Sequence, residues 1–164
     1  MKCPRTGTDL KEIEIDGVKI DISESCGGVW FDNFELEKFD NVDKAAGAEL
    51  VELLAKYADK ELDLEPRLQS PRHPEVTMMR QFYSPAQRIE IDVCPQSGGV
   101  WLDPGELAHM RLLYPSEDDR REATQQFFDE IMPVFGDSSA EHFGPRVVRM
   151  LHWLLDAADW GKSP

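Results

Sequence analysis

In EIEIDGVKIDI, residues 12–22, apolar side chains recur at every second position: Ile13 and Ile15 before Asp16-Gly17, then Val18, Ile20 and Ile22 after it. A period of two is that of a strand with one buried face. Asp-Gly between two such runs predicts a β-hairpin, because both residues of its tight turn take positive φ. The pattern returns in RIEIDV, residues 88–93, where Ile89, Ile91 and Val93 alternate after a looser Ser84-Pro85-Ala86-Gln87 turn. Elsewhere the period lengthens to that of a helix. Leu50, Leu53, Leu54 and Tyr57 predict an amphipathic helix over 45–62, and Ser116 opens an acidic helix to about 132. Val147, Leu151, Leu154 and Ala158 stripe a third helix over about 141–160. The proline-containing stretch from 65 to 72 reads as a linker.

The chain also repeats itself. IDISESCGGVWFDNFELEKF, residues 20–39, superposes on IDVCPQSGGVWLDPGELAHM, residues 91–110. The paired Ile-Asp, the Gly-Gly-Val-Trp blocks (27–30 and 98–101), Asp32 with Asp103 and the Glu-Leu pairs (35–36 and 106–107) are identical. Such self-similarity marks a duplicated structural unit. Asp32 and Asp103 suit helix N-caps, with Glu35 and Glu106 three residues on completing capping boxes. Pro104 then falls at a first helical position, where its missing N–H costs nothing. Upstream, Cys3-Pro4 precedes the first hairpin. His73-Pro74 is its expected counterpart, since the spacing to Ser23 and to Cys94 then differs by one residue; Ser70-Pro71 would require four extra residues.

Cys-Pro-Arg-Thr, a hairpin and then SESCGGVWFDNFELE together resemble the bacterial zinc ribbon of the transcription factor IIB type, present as two tandem degenerate copies. The resemblance implies an α+β fold: two zinc-ribbon-like β-hairpin units, each followed by helices, plus a helical C-terminal region. On this reading the copies span 1–40 and 73–113, joined by the helix within 41–64 and the linker 65–72, with C-terminal helices over 114–164. Each ribbon of this family sets four zinc ligands on two knuckles. By position, copy one carries Cys3, Thr6, Ser23 and Cys26, and copy two carries His73, Val76, Cys94 and Ser97.

Structural zinc is four-coordinate and held by Cys thiolates and His nitrogens. Hydroxyls are too weakly acidic to replace thiolates, so each copy keeps two ligands of four. Cys3, Cys26, His73 and Cys94 are therefore read as a vestigial or low-occupancy metal set, and no cofactor is expected. Joined across the copies, the four would make a valid Cys3His site, provided the ribbons met knuckle to knuckle. A ribbon of this size without metal needs core from elsewhere, which Trp30, Trp101 and the added helices are expected to supply. Cys3 and Cys26 also occupy positions that bring sulfurs together, so a thiol-based redox role is conceivable, with inert thiols as the default.

Charge narrows the function. The chain of 164 residues has a formal net charge of −14, with 18 basic and 32 acidic residues, and both halves are acidic. Phosphate contacts require clustered Lys and Arg, so the charge disfavours nucleic acid as a partner; a protein with a basic surface is the expected one. No membrane span or apolar leader is legible, and three cysteines do not suggest a disulfide framework, so a cytoplasmic protein is expected. His109, His142 and His152 stand alone on predicted helices, and no Ser-His-Asp set, phosphate loop or carboxylate pair appears. The expectation is a non-enzymatic interaction or regulatory module, accessory to transcription or nucleic-acid machinery by analogy with the ribbon. A zinc-binding ribbon that contacts nucleic acid is the alternative.

Overall fold

The computed structural model describes residues 1–41, 43–58, 61–83, 89–113, 118, 119 and 122. The chain divides into two compact units, Met1–Ser116 and Glu117–Pro164. In the second, only the helical residues 118, 119 and 122 are described. The helix expected over 141–160, most of that expected over 116–132, and the turn at 84–87 lie outside the described residues.

Six short strands make one antiparallel sheet: β1 (Lys11–Ile15), β2 (Val18–Ile22), β3 (Val29–Phe31), β4 (Met79–Phe82), β5 (Glu90–Val93) and β6 (Val100–Leu102). Their order is β1-β2-β3-β6-β5-β4. Each copy thus supplies three neighbouring strands, and the copies join through their third strands. In that central pair Trp30 faces Trp101, Val29 faces Leu102 and Phe31 faces Val100. Equivalent residues exchange places across the seam, so the copies relate by a local twofold axis passing between the tryptophans. Asp16 and Gly17 both take positive φ, 51° and 74°, as the Asp-Gly turn requires.

The seam strands are buried on both faces, which is why Val-Trp-Phe reads as a continuous apolar run rather than an alternation. Val29, Phe31 and Leu102 enter the larger core with Ile20, Ile22 and Ile91, covered by Leu50 and Leu54 of α1 (Ala45–Ala55) and by Leu107 and Met110 of α2 (Glu106–Leu113). Trp30 and Trp101 turn the other way into a second cluster with Cys3, Cys26, Leu68, Met78 and Cys94. Both indoles are fully buried. Each removes on the order of 200 Å² from water, roughly 5 kcal/mol of gross transfer free energy.

Two helical expectations are corrected. The helix expected over 45–62 ends at Ala55. In copy one the predicted helix after Asp32 is only a 3-10 turn, Leu36–Lys38, whereas copy two forms α2. Half of each capping box is made: the Asp32 N–H donates to Glu35 Oε2 at 2.8 Å, and the Asp103 N–H to Glu106 Oε2 at 2.7 Å. The aspartate carboxylates are drawn off to tertiary partners instead. Among the described residues no helix is long and apolar enough to cross a membrane.

Candidate metal centre

The first knuckle turns at Cys3, whose N–H donates to Thr8 O and whose carbonyl accepts from Gly7. The second turns at Ser23, whose N–H donates to Gly28 O and whose carbonyl accepts from Gly27. Gly27 takes φ +80°, and a Cβ there would stand 2.9 Å from Leu54 O. The knuckle glycine therefore provides both the left-handed turn and room for the end of α1. These turns bring the Cys3 and Cys26 sulfurs to 3.7 Å, both buried. At the other two ligand positions are hydroxyls, and they are engaged: Thr6 with Ser25 at 2.6 Å, Ser23 with Ser25 at 2.9 Å, and Cys26 with Ser23 at 3.3 Å. The thiols titrate as a pair. A hydrogen bond from Cys26 lowers Cys3 against the opposing effect of burial, and the same bond together with burial raises Cys26.

The second copy repeats the turns, in a register that differs from the expected one. Ser70 N–H donates to Val76 O, Met78 N–H donates to Leu68 O, and Gln69 bridges Thr77 as Lys2 bridges Asp9. Ser70-Pro71-Arg72-His73 is thus the counterpart of Cys3-Pro4-Arg5-Thr6. Ser70, not His73, stands opposite Cys3; His73 takes the place of Thr6; and Val76 lies outside the ligand positions. Residues 68–71, expected in a linker, belong to the knuckle, with Leu68, Ser70 and Pro71 buried. Of the four extra residues, one falls within the knuckle, where Ser70 closes on Val76 while Cys3 closes on Thr8, and three fall within the hairpin, where Met79 pairs with Val93 while Lys11 pairs with Ile22. Pro-Arg recurring at 4–5 and 71–72 is the sequence signal that carries this register.

Copy two therefore presents Ser70, His73, Cys94 and Ser97. Burial raises the Cys94 thiol, but hydrogen bonds with Ser70 and Ser97 outweigh it and leave the group lowered overall. His73 Nδ1 lies 3.8 Å from Glu75. Among the described residues, no three His, Cys, Asp or Glu side chains are gathered as a metal would require. Cys3, Cys26, His73 and Cys94 are therefore not assembled into the cross-copy Cys3His set. Two thiols with hydroxyls in copy one, and one thiol with a half-buried imidazole in copy two, do not fit tetrahedral zinc.

The copies instead hold each other. Arg5, on the first knuckle of copy one, grips Asp103 of copy two with a two-pronged fork, Nε to Oδ1 at 2.8 Å and Nη2 to Oδ2 at 2.5 Å. Arg72, on the first knuckle of copy two, forks onto Asp32 of copy one in the same manner. Each aspartate also accepts from the indole of its own copy, Trp30 at 3.0 Å and Trp101 at 2.9 Å. The second knuckle glycines complete the exchange: a Cβ at Gly28 would stand 2.2 Å from the Trp101 ring, and one at Gly99 would stand 2.2 Å from the Trp30 ring. The forks differ in setting. The Arg5 and Asp103 side chains are only 3% and 7% exposed, against 44% and 39% for Arg72 and Asp32. Arg5 and Arg72 were not among the residues singled out from sequence.

Two interlocked hairpin–knuckle units with incomplete ligand sets define a duplicated ribbon of zinc-ribbon type. Residues 2–39 and 77–110 both match the TFIIB-type zinc ribbon model, described as a transcription factor zinc-finger. No curated protein and no solved structure matches the chain.

Proposed function

We propose that the protein is a non-enzymatic interaction module whose ribbon scaffold stands without zinc and offers an acidic surface to a basic protein partner. The setting that its family supports is transcription or related nucleic-acid machinery. One observation carries the reading: each copy lacks half of its ligands, while reciprocal Trp–Gly packing and Arg–Asp forks tie the copies together. In such a chain the force that shapes the fold is burial of the two indoles across the seam, and the ligand positions are free to become hydroxyls.

Elemental analysis and nucleic-acid binding test the proposal together. Protein purified without added metal should hold less than about a tenth of an equivalent of zinc and show no salt-sensitive binding to DNA at physiological ionic strength. Affinity capture from the native host should recover a protein partner that is released by salt. Stoichiometric zinc surviving a mild chelator, together with sub-micromolar DNA binding of steep salt dependence, would establish the alternative, a zinc-binding ribbon that contacts nucleic acid.

A further inference from the structure

We infer that Cys3 and Cys26 form a reversible disulfide that clamps the first copy's two knuckles where its relatives would place a metal. The inference rests on the metal-free reading and goes beyond it. The sulfurs already touch at 3.7 Å, and each is held by a backbone turn that closes on itself through two hydrogen bonds. The remaining motion is small and local to two side chains. Around the sulfurs stand Thr6, Ser23 and Ser25, whose hydroxyls are hydrogen-bonded among themselves. Nothing at these positions competes as a thiolate.

The second copy provides an internal control. Serines replace both members of the pair, Ser70 for Cys3 and Ser97 for Cys26, while Cys94 occupies the position of Ser23. Cys94 is buried among hydroxyls and should remain a thiol. The asymmetry also separates the two knuckle pairs in kind: copy one can be cross-linked and copy two cannot.

The oxidant is a small disulfide of the glutathione class. One cysteine, as thiolate, attacks the oxidant's S–S bond, forms a mixed disulfide and releases one small thiol. The second cysteine loses its proton and displaces the other small thiol, forming the Cys3–Cys26 bond. Two electrons pass to the oxidant, and both protein protons are recovered on the two released thiols or in solvent. Because both sulfurs are buried, the first attack waits on brief opening of the first knuckle, so oxidation is slow relative to that of an exposed thiol.

The experiment uses the full chain, reduced, treated with a chelator, and equilibrated without air in reduced and oxidised glutathione at graded ratios. Alkylation of free thiols and peptide mapping then score each cysteine. The expected result is paired loss of Cys3 and Cys26, a Cys3–Cys26 cross-linked peptide, and Cys94 still alkylated. The oxidised chain should melt on the order of 10 °C above the reduced one, a difference abolished by adding reductant. Cys26→Ser should trap glutathione on Cys3 or leave Cys3 free, with no cross-link and no gain in melting temperature, and Cys94→Ser should behave as the parent. A cross-link through Cys94, glutathione accumulating on Cys3 of the parent chain, or three free thiols at every ratio would overturn the inference. Zinc measured in the same sample before chelation tests the metal-free reading separately, since the cross-link is scored after metal is removed.

Discussion

Adding one methyl group at Gly28 should disrupt the seam between the copies. An alanine Cβ there would lie 2.2 Å from Trp101 Cζ2, 2.7 Å from Cη2 and 3.1 Å from Leu102 O. The indole has nowhere to retreat: it is fully buried, and its N–H is bonded to Asp103 at 2.9 Å. Gly28 does not take a positive φ, so alanine would otherwise gain about 0.4–1 kcal/mol by restricting the unfolded chain. Overpacking costs about 1–3 kcal/mol, and a contact this close belongs at the upper end. The expected net loss is roughly 2 kcal/mol, or about 8 °C in melting temperature for a domain of this size. Urea and thermal denaturation followed by circular dichroism would measure it. A double-mutant cycle supplies the sharper test. Trp101→Phe removes the outer ring atoms that the methyl meets, so it should couple to Gly28→Ala by about 1 kcal/mol or more, whereas Trp30→Phe should couple less. The mirror pair, Gly99→Ala with Trp30→Phe, should behave alike. A neutral Gly28→Ala, or equal coupling to both tryptophans, would refute the reciprocal packing.

The two Arg–Asp forks should differ in strength despite their symmetry. Arg5→Ala strands the buried Asp103 beside Asp92, 4.0 Å from the same guanidinium, and should cost about 3–5 kcal/mol in denaturation; Arg72→Ala, at an exposed pair, should cost no more than about 1 kcal/mol. Burial raises Glu106 to about 8, with Asp103 and Asp92 adding to the rise and Arg5 opposing it. The folded state therefore keeps a proton that the unfolded chain releases near the ordinary glutamate value, so stability should fall as pH climbs from about 4.5 towards 8, and Glu106→Gln should flatten that slope in melting curves. Phe34 is exposed and takes φ +69°, where its counterpart Gly105 takes +87°. Phe34→Gly should therefore be more stable than Phe34→Ala, by about 1 kcal/mol, inverting the usual preference for alanine.

Local chemistry was legible in the chain itself. The alternation around Asp16-Gly17 specified the first hairpin, the duplicated Gly-Gly-Val-Trp identified two ribbon units, and the ligand deficit at Thr6 and Ser23 followed from residue identity alone. These are properties of neighbouring residues, set by backbone sterics and by which side chains bind metal. The register of the second knuckle was not legible from spacing, because the knuckle and the hairpin loop absorb one and three extra residues at little cost in closure entropy; the backbone bonds of Ser70 and Met78 settle it. The capping boxes were read correctly in their glutamates and incorrectly in their aspartates, since a carboxylate that looks local in sequence is taken by an arginine from the other copy. That exchange is what the tertiary structure alone decided. Two similar units can fold side by side or into each other, and the choice belongs to the Trp30–Trp101 seam, where each indole needs the missing side chain of a glycine about 70 residues away in sequence to be buried on both sides.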